Sequence, residues 1–162
     1  MNVLLAIDYS PSAQAAVEAV RDGLPRGTTV RVVHVVEWPH DAPVSLTFAQ
    51  GRRAAECVLA AHEEIRARAH ALVALAADRL SQAGFHATTC VAEGCPRDEI
   101  LRISTAWPAD MIVIGSHGRK GLDRLLLGSV SESFVRGATC SVEVVVPSPT
   151  SAVRPAVAMR GW

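Results

Sequence analysis

The sequence predicts an α/β protein, a five-stranded parallel, doubly wound sheet of Rossmann-like kind. Three observations point there. Short continuous apolar runs, Val3 to Ile7 and Met111 to Ile114 among them, have the length expected of strands covered on both faces. Between such runs, apolar residues recur at three- and four-residue steps, the spacing of a helix with one buried stripe. Turn signals rich in Gly, Pro and Ser stand at the junctions. The alternation β-α-β-α-β-α-β-α-β implies right-handed crossovers and helices on both faces of the sheet.

The elements follow in order. Val3-Leu4-Leu5-Ala6-Ile7 forms the first strand, with Asp8 at its carboxyl end. Ser10-Pro11 opens a helix, serine as N-cap and proline at the first helical position. Ala13, Ala16, Val17 and Val20 supply its inner face. Asp8 has two readings: an acid that turns or caps the chain, or a group facing a ligand at a strand end, where open α/β sheets bind. Thr28 to Val36 is the second strand, and His34 reads as a packed histidine near its end. Trp38 to Pro43 is a loop that continues neither strand nor helix.

Gln50 to Gln82 reads as one long helix. Val58, Ala61, Ile65, Ala69, Leu72, Ala76 and Leu80 form its expected buried stripe, and Glu63, Glu64, Arg66 and Arg68 a solvated face. His62 and His70 stand eight residues apart. A metal pair on adjacent turns needs a four-residue step, so both read as surface histidines. Gly84 ends the helix. His86 to Ala92 is the third strand. Pro96 starts a short helix with Asp98 and Glu99 in its first turn, where acids suit the dipole. Ile100, Leu101 and Ile103 face inward, and the helix stops near Trp107-Pro108. Met111 to Ile114 is the fourth strand and Ser141 to Val146 the last. Pro147 to Trp162 shows no clear period and reads as a tail, leaving residues 1–147 as one domain.

The most informative stretch is GSHGRKGLDRLLLGSVSES, Gly115 to Ser133. It follows the apolar strand at 111–114 and leads into what reads as a helix start at Ser129. Glycines allow backbone to approach a ligand closely, and a helix N-terminus favours an anion. Arg119, Lys120 and Arg124 add positive charge. A phosphate site is the physical expectation. Ser129 and Glu132 also form a capping box, a role that suits the ligand-free state. His117 reads as a loop residue or a ligand contact. Neither GxxxxGK[ST] nor a GxGxxG after the first strand occurs, so the two common nucleotide loops are absent.

Gly115, two residues, Gly118, nine residues, then Gly128-Ser129 is a pattern that resembles the ATP-binding branch of the universal stress protein family. The frame Ala6-Ile7-Asp8-Tyr9-Ser10, the His34-Val35 pair and the Gly94-Cys95-Pro96 turn are similar to that family as well. The resemblance runs from Asn2 to about Pro147 and implies strand order 3-2-1-4-5. It implies that ATP, or ADP or AMP, lies between Ala6, Ile7 and Asp8 on one side and Gly115, Ser116, His117, Gly118, Arg119, Gly128, Ser129, Val130 and Ser131 on the other. Val35 would meet adenine through its backbone. Asp8 would hold Mg2+ with the nucleotide, since magnesium joins phosphates through one or two carboxylates and water. The resemblance also implies a homodimer through strand Ser141 to Val146, in which Glu143 replaces an apolar residue.

Composition sets the outer limits. Lys+Arg and Asp+Glu balance at 16 each, which argues against a general nucleic-acid binder. No apolar run reaches the roughly 18 residues of a membrane span, and no basic leader precedes the first strand, so a cytoplasmic protein is expected. Cys57, Cys90, Cys95 and Cys140 form no CxxC pair and read as reduced, structural thiols. The expected function is a nucleotide-dependent stress or regulatory protein. The alternatives are a slow ATPase using Asp8, His117 or Lys120, and an interaction module without nucleotide. No GxSxG occurs, which disfavours a hydrolase triad.

Overall fold

The computed structural model describes residues 1–37, 52–116 and 137–147; in the helix starting at Arg52, side chains are described from residue 56. The described elements are β1 (Asn2–Ala6), α1 (Pro11–Gly23), β2 (Thr29–Val36), α2 (Arg52–Gln82), β3 (His86–Glu93), α3 (Pro96–Ala106), β4 (Met111–Gly115) and β5 (Ser141–Val145). They form one five-stranded sheet in the order β3-β2-β1-β4-β5, and every pair is parallel. The expected topology is therefore the observed one. No described helix is long and apolar enough to cross a membrane.

The central strands are apolar throughout because both faces are covered. Val3, Leu5 and Ile7 pack with Val30, Val32 and Val113 under α1 and the second half of α2. Leu4 and Ala6 pack with Val33, Val35, Ile112 and Ile114 under α3. Alternation along each strand thus feeds two cores rather than one core and solvent. On the second face the Arg31 guanidinium lies 4.4 Å from the centre of the Trp107 ring, a cation–π contact beside the end of α3.

Caps fall where the local chemistry places them. The Ser10 hydroxyl accepts the Ala13 N–H at the start of α1, with proline at the first helical position. After α2, Gly84 takes φ +92°, a conformation in which a side chain is strained.

The long helix departs from expectation. Ala69, Val73, Ala76, Ala77 and Leu80 are buried, but Val58 is 46% exposed and Ile65 39% exposed. The inner stripe therefore begins at Ala69. Residues 56–68 are exposed apart from the half-buried His62. That histidine is also not a free surface residue: its Nε2 lies 3.1 Å from Glu93 Oε2 at the end of β3. Arg66 Nε approaches the other carboxylate oxygen at 3.3 Å.

Candidate functional site

The carboxyl ends of β1, β2 and β4 converge at one edge of the sheet. β1 stops because its last ladder bond is Ile7 N–H to the Val33 carbonyl, at 2.9 Å. The chain then turns through Asp8, Tyr9 and Ser10 into α1. Asp8 Oδ1 accepts the Ser10 N–H at 2.9 Å and also the Ser10 hydroxyl. A carboxylate only accepts, so the Ser10 hydrogen points at Asp8. Ser12 Oγ lies 3.0 Å from Ser10 Oγ and must be the donor to it. The order is then Ser12 to Ser10 to Asp8, with the Ala13 N–H also ending on Ser10 Oγ. Asp8 does turn and cap the chain, yet only through Oδ1. Its Oδ2 has no hydrogen-bond partner among the described residues.

The Ile7 carbonyl meets a side chain instead of the next strand residue. His34 Nδ1 lies 2.7 Å from it, and the ring is only 4% exposed. A carbonyl cannot donate, so Nδ1 carries the hydrogen. The Tyr9 ring stands edge-on to the imidazole, with centroids 5.3 Å apart. In the parallel ladder, the N–H and C=O of one residue point to the same neighbouring strand. Val33 points to β1, as its bond to Ile7 shows, and Val36 points to β3 by accepting the Gly94 N–H at 3.1 Å. Val35 must therefore present its N–H and C=O on the β1 side, where β1 has already turned away. No described backbone bond joins β1 to β2 beyond Ile7 and Val33.

At the end of β4, Gly115 is required by packing. A Cβ built there would lie 2.7 Å from the Ser12 carbonyl carbon, 2.8 Å from its oxygen and 2.9 Å from its Cβ. The strand end is thus pressed against the first turn of α1. Ser116 is buried and donates its N–H to the Val145 carbonyl at 2.8 Å, tying the start of the glycine-rich stretch to β5.

The described part of the site thus brings together Ala6, Ile7, Asp8, Val35, Gly115 and Ser116. His117, Gly118, Arg119, Gly128, Ser129, Val130 and Ser131 lie outside the described residues, as do Lys120, Arg124, the loop at 38–43 and the tail from residue 148. A cavity of about 250 Å³ opens beside Asp8, walled by Tyr9, Ser10, Gln14, Leu72, Leu75 and Arg79. Among the described residues no group of three or more His, Cys, Asp or Glu could hold a metal ion. The described cysteines are all free. Burial, and then the charge of Asp110, pushes the Cys140 thiol above its ordinary pKa, so it is a poor nucleophile near neutral pH.

Sequence reasoning missed Ser12 and the role of His34. Ser12 carries a faint signal, a second small polar residue in the first turn of α1. His34 carries none beyond being a polar residue in an apolar strand, because its partner is 27 positions away.

The model of the universal stress protein family matches residues 1–146. A universal stress protein of Methanocaldococcus jannaschii is 44% identical over 62 residues, covering 38% of this chain and 36% of that protein. One of Mycobacterium bovis is 33% identical over 163 residues, covering 96% of this chain and 51% of its own length. The chain therefore spans about half or less of these two relatives. Among solved structures, a second M. jannaschii protein superposes with a TM-score of 0.75 at 23% identity, covering 92% of this chain and 97% of that one. A family member from Arabidopsis thaliana with AMP bound gives a TM-score of 0.63 at 18% identity, with 93% and 94% covered. A universal stress protein in complex with cAMP gives 0.60 at 21% identity, with 91% and 98% covered. At these identities the structures speak to the fold, and the sequence match speaks to descent. With the sheet order, the converging strand ends and a match to nearly the whole chain in hand, the chain belongs to the universal stress protein family.

Proposed function

We propose that the chain binds an adenine nucleotide, ATP or its ADP or AMP forms, at the carboxyl ends of β1, β2 and β4 and acts as a nucleotide-dependent regulatory protein. The observation that carries this reading is the pair of backbone groups on Val35, which point to the β1 side and have no hydrogen-bond partner among the described residues. One N–H donor and one C=O acceptor on the same side complement the N1 acceptor and N6 donor of adenine. Guanine presents the opposite order on that edge. Asp8 is the nearby acid, and its Oδ2, without a partner among the described residues, can accept ribose hydroxyls or bind a cation. AMP and cAMP in related structures support the ligand class. The glycine pattern from Gly115 through Gly118 to Gly128-Ser129 supports a phosphate cradle, with Ser116, His117, Arg119, Val130 and Ser131 around it.

Asp8 is a hard oxygen donor and fits Mg2+. Lacking a wider acidic cluster among the described residues, such an ion would rest on this carboxylate, the phosphates and water. The cation would neutralise phosphate charge; orientation of the nucleotide falls to Val35 and Asp8. The regulatory step is a population shift, which a ligand produces only by binding one state better than another. In the same proposal the binding unit is residues 1–147, so a chain ending at Pro147 keeps its affinity. Pairing of edge strand β5 with its copy in a homodimer fits an apolar run whose last residue, Val146, is 67% exposed. The compartment is cytoplasmic.

Calorimetric titration with ATP and Mg2+ tests the core claim. Wild type should bind, and Gly118→Val should not, since its side chain intrudes where phosphate must approach. Absence of binding in wild type, with no adenine absorbance released on denaturation, overturns the reading.

A further inference from the structure

We infer that His34 is a positioning residue that keeps the Val35 backbone open for a ligand by occupying the carbonyl Val35 would otherwise bond. The register carries this. After Ile7 N–H to Val33 C=O, the next bond of a parallel ladder would run from Val35 N–H to the Ile7 carbonyl. That carbonyl is instead held by His34 Nδ1–H at 2.7 Å. In the structure the His34 donor stands where the Val35 donor would, and no Val35 N–H to Ile7 bond is formed. Ile7 keeps a hydrogen-bond partner in a buried setting, so the divergence of β1 from β2 leaves no orphan acceptor there. Tyr9, packed edge-on against the imidazole, holds the ring in place from the chain that has turned away.

The arrangement separates two roles that neighbouring residues of β2 would otherwise share. The His34 side chain ends the β1–β2 pairing; the Val35 main chain becomes available because of it. A leucine at 34 would fill similar space yet leave the Ile7 carbonyl seeking a donor, and Val35 N–H is the donor that the register supplies. Asparagine places an amide N–H at about the reach of Nδ1 and preserves the clamp.

The exchange half of this inference stands without a ligand, whereas the affinity half rests on the nucleotide reading above. The experiment is backbone amide hydrogen exchange by NMR on ligand-free protein, with Val33 as the paired reference, on wild type, His34→Leu and His34→Asn. In wild type, Val35 should exchange at least about a hundredfold faster than Val33. In His34→Leu it should slow at least about tenfold relative to wild type, while Mg-ATP affinity falls about tenfold, the loss of one hydrogen bond. His34→Asn should match wild type in both. Val35 as protected as Val33 in ligand-free wild type overturns the inference, even if His34→Leu fails to fold. So does unchanged Val35 exchange in a folded His34→Leu, or an asparagine variant that behaves like leucine. If wild type binds no nucleotide but the exchange pattern holds, the nucleotide reading fails and the role of His34 stands.

Discussion

The two ends of the sheet are built to opposite rules. At the amino end, the strand starts are tied to their surroundings. Asp110 accepts the Asn2 N–H at 2.7 Å and returns its own N–H to the Asn2 carbonyl at 2.8 Å. Thr29 bonds Met1, His86 bonds Thr28, and Gly27 bonds Gly84 through the backbone. At the carboxyl end, β1 turns away one residue early, and among the described residues Val35 has no backbone partner on that side and Asp8 uses one oxygen of two. Backbone groups left open cost stability unless something meets them. The comparison teaches that the amino end is closed by its own backbone bonds, whereas the carboxyl end leaves described polar groups unmatched, which is where the proposed ligand would sit.

The largest expected effect comes from a place where the open end is tightly packed against backbone. Gly115→Ala puts a Cβ into the Ser12 backbone, which has no flexible tip to move aside. It should cost about 2–3 kcal/mol by chemical denaturation. A cost below about 1 kcal/mol would show that α1 can shift away from β4. Next, the two acids at opposite ends should part company. Asp8→Ala should lower Mg-ATP affinity at least about tenfold, while Asp110→Ala should cost about 1 kcal/mol of stability and leave affinity unchanged. Equal effects on binding would erase the distinction between the ends.

Ser10→Ala removes the N-cap of α1 and the donor to Asp8 together. The expected cost is about 1 kcal/mol by thermal unfolding, with a further loss of affinity because Asp8 is no longer held. Stability lost without affinity would mean that Asp8 needs no orienting partner. The smallest effect is at Glu99, beside the same end of the sheet but on α3. Its bond to Arg102 holds the carboxyl below the usual carboxylate range. A lowered folded pKa gives stability that is present above the unfolded value and lost as pH falls through the folded one. Glu99→Gln should therefore cost about 0.3–0.5 kcal/mol at neutral pH and nothing in strong acid. A difference that persists at low pH would assign the effect to packing near Gly94 instead.

Much of the fold was legible in single elements. The run Val3 to Ile7 read as a buried strand by its length, its β-branched and aliphatic make-up and the turn signals after it, and Ser10-Pro11 marked where the next helix begins. The order of the strands was not legible from periodicity, because a repeat identifies which residues share a face and not which strand lies beside which. It came from family resemblance. The long helix stands where expected, but the first half of its buried stripe does not, for a related reason. Val58 and Ile65 sit on the same stripe as Ala69 and Leu80, but a 31-residue helix runs about 46 Å, whereas an eight-residue strand runs about 26 Å. Periodicity has no term for where the sheet ends. Asp8 was legible as a strand-end acid, whereas Val35 came from the family resemblance alone, since any apolar residue could supply a backbone group. The bond from His34 to Ile7 was not legible, since it depends on the register between two strands.

The contact between Gly115 and Ser12 changes how the glycine pattern should be weighed as a diagnostic. Glycine at this position answers to the start of α1, so a chain that had abandoned nucleotide altogether would still be unable to replace it without loosening β4. Whatever it contributes to a ligand, it also marks a joint in the scaffold. A survey that separated binders from non-binders by the first glycine would sort by architecture while believing it sorted by ligand; in the proposed reading the letters to compare are those further along, Gly118 and Gly128-Ser129.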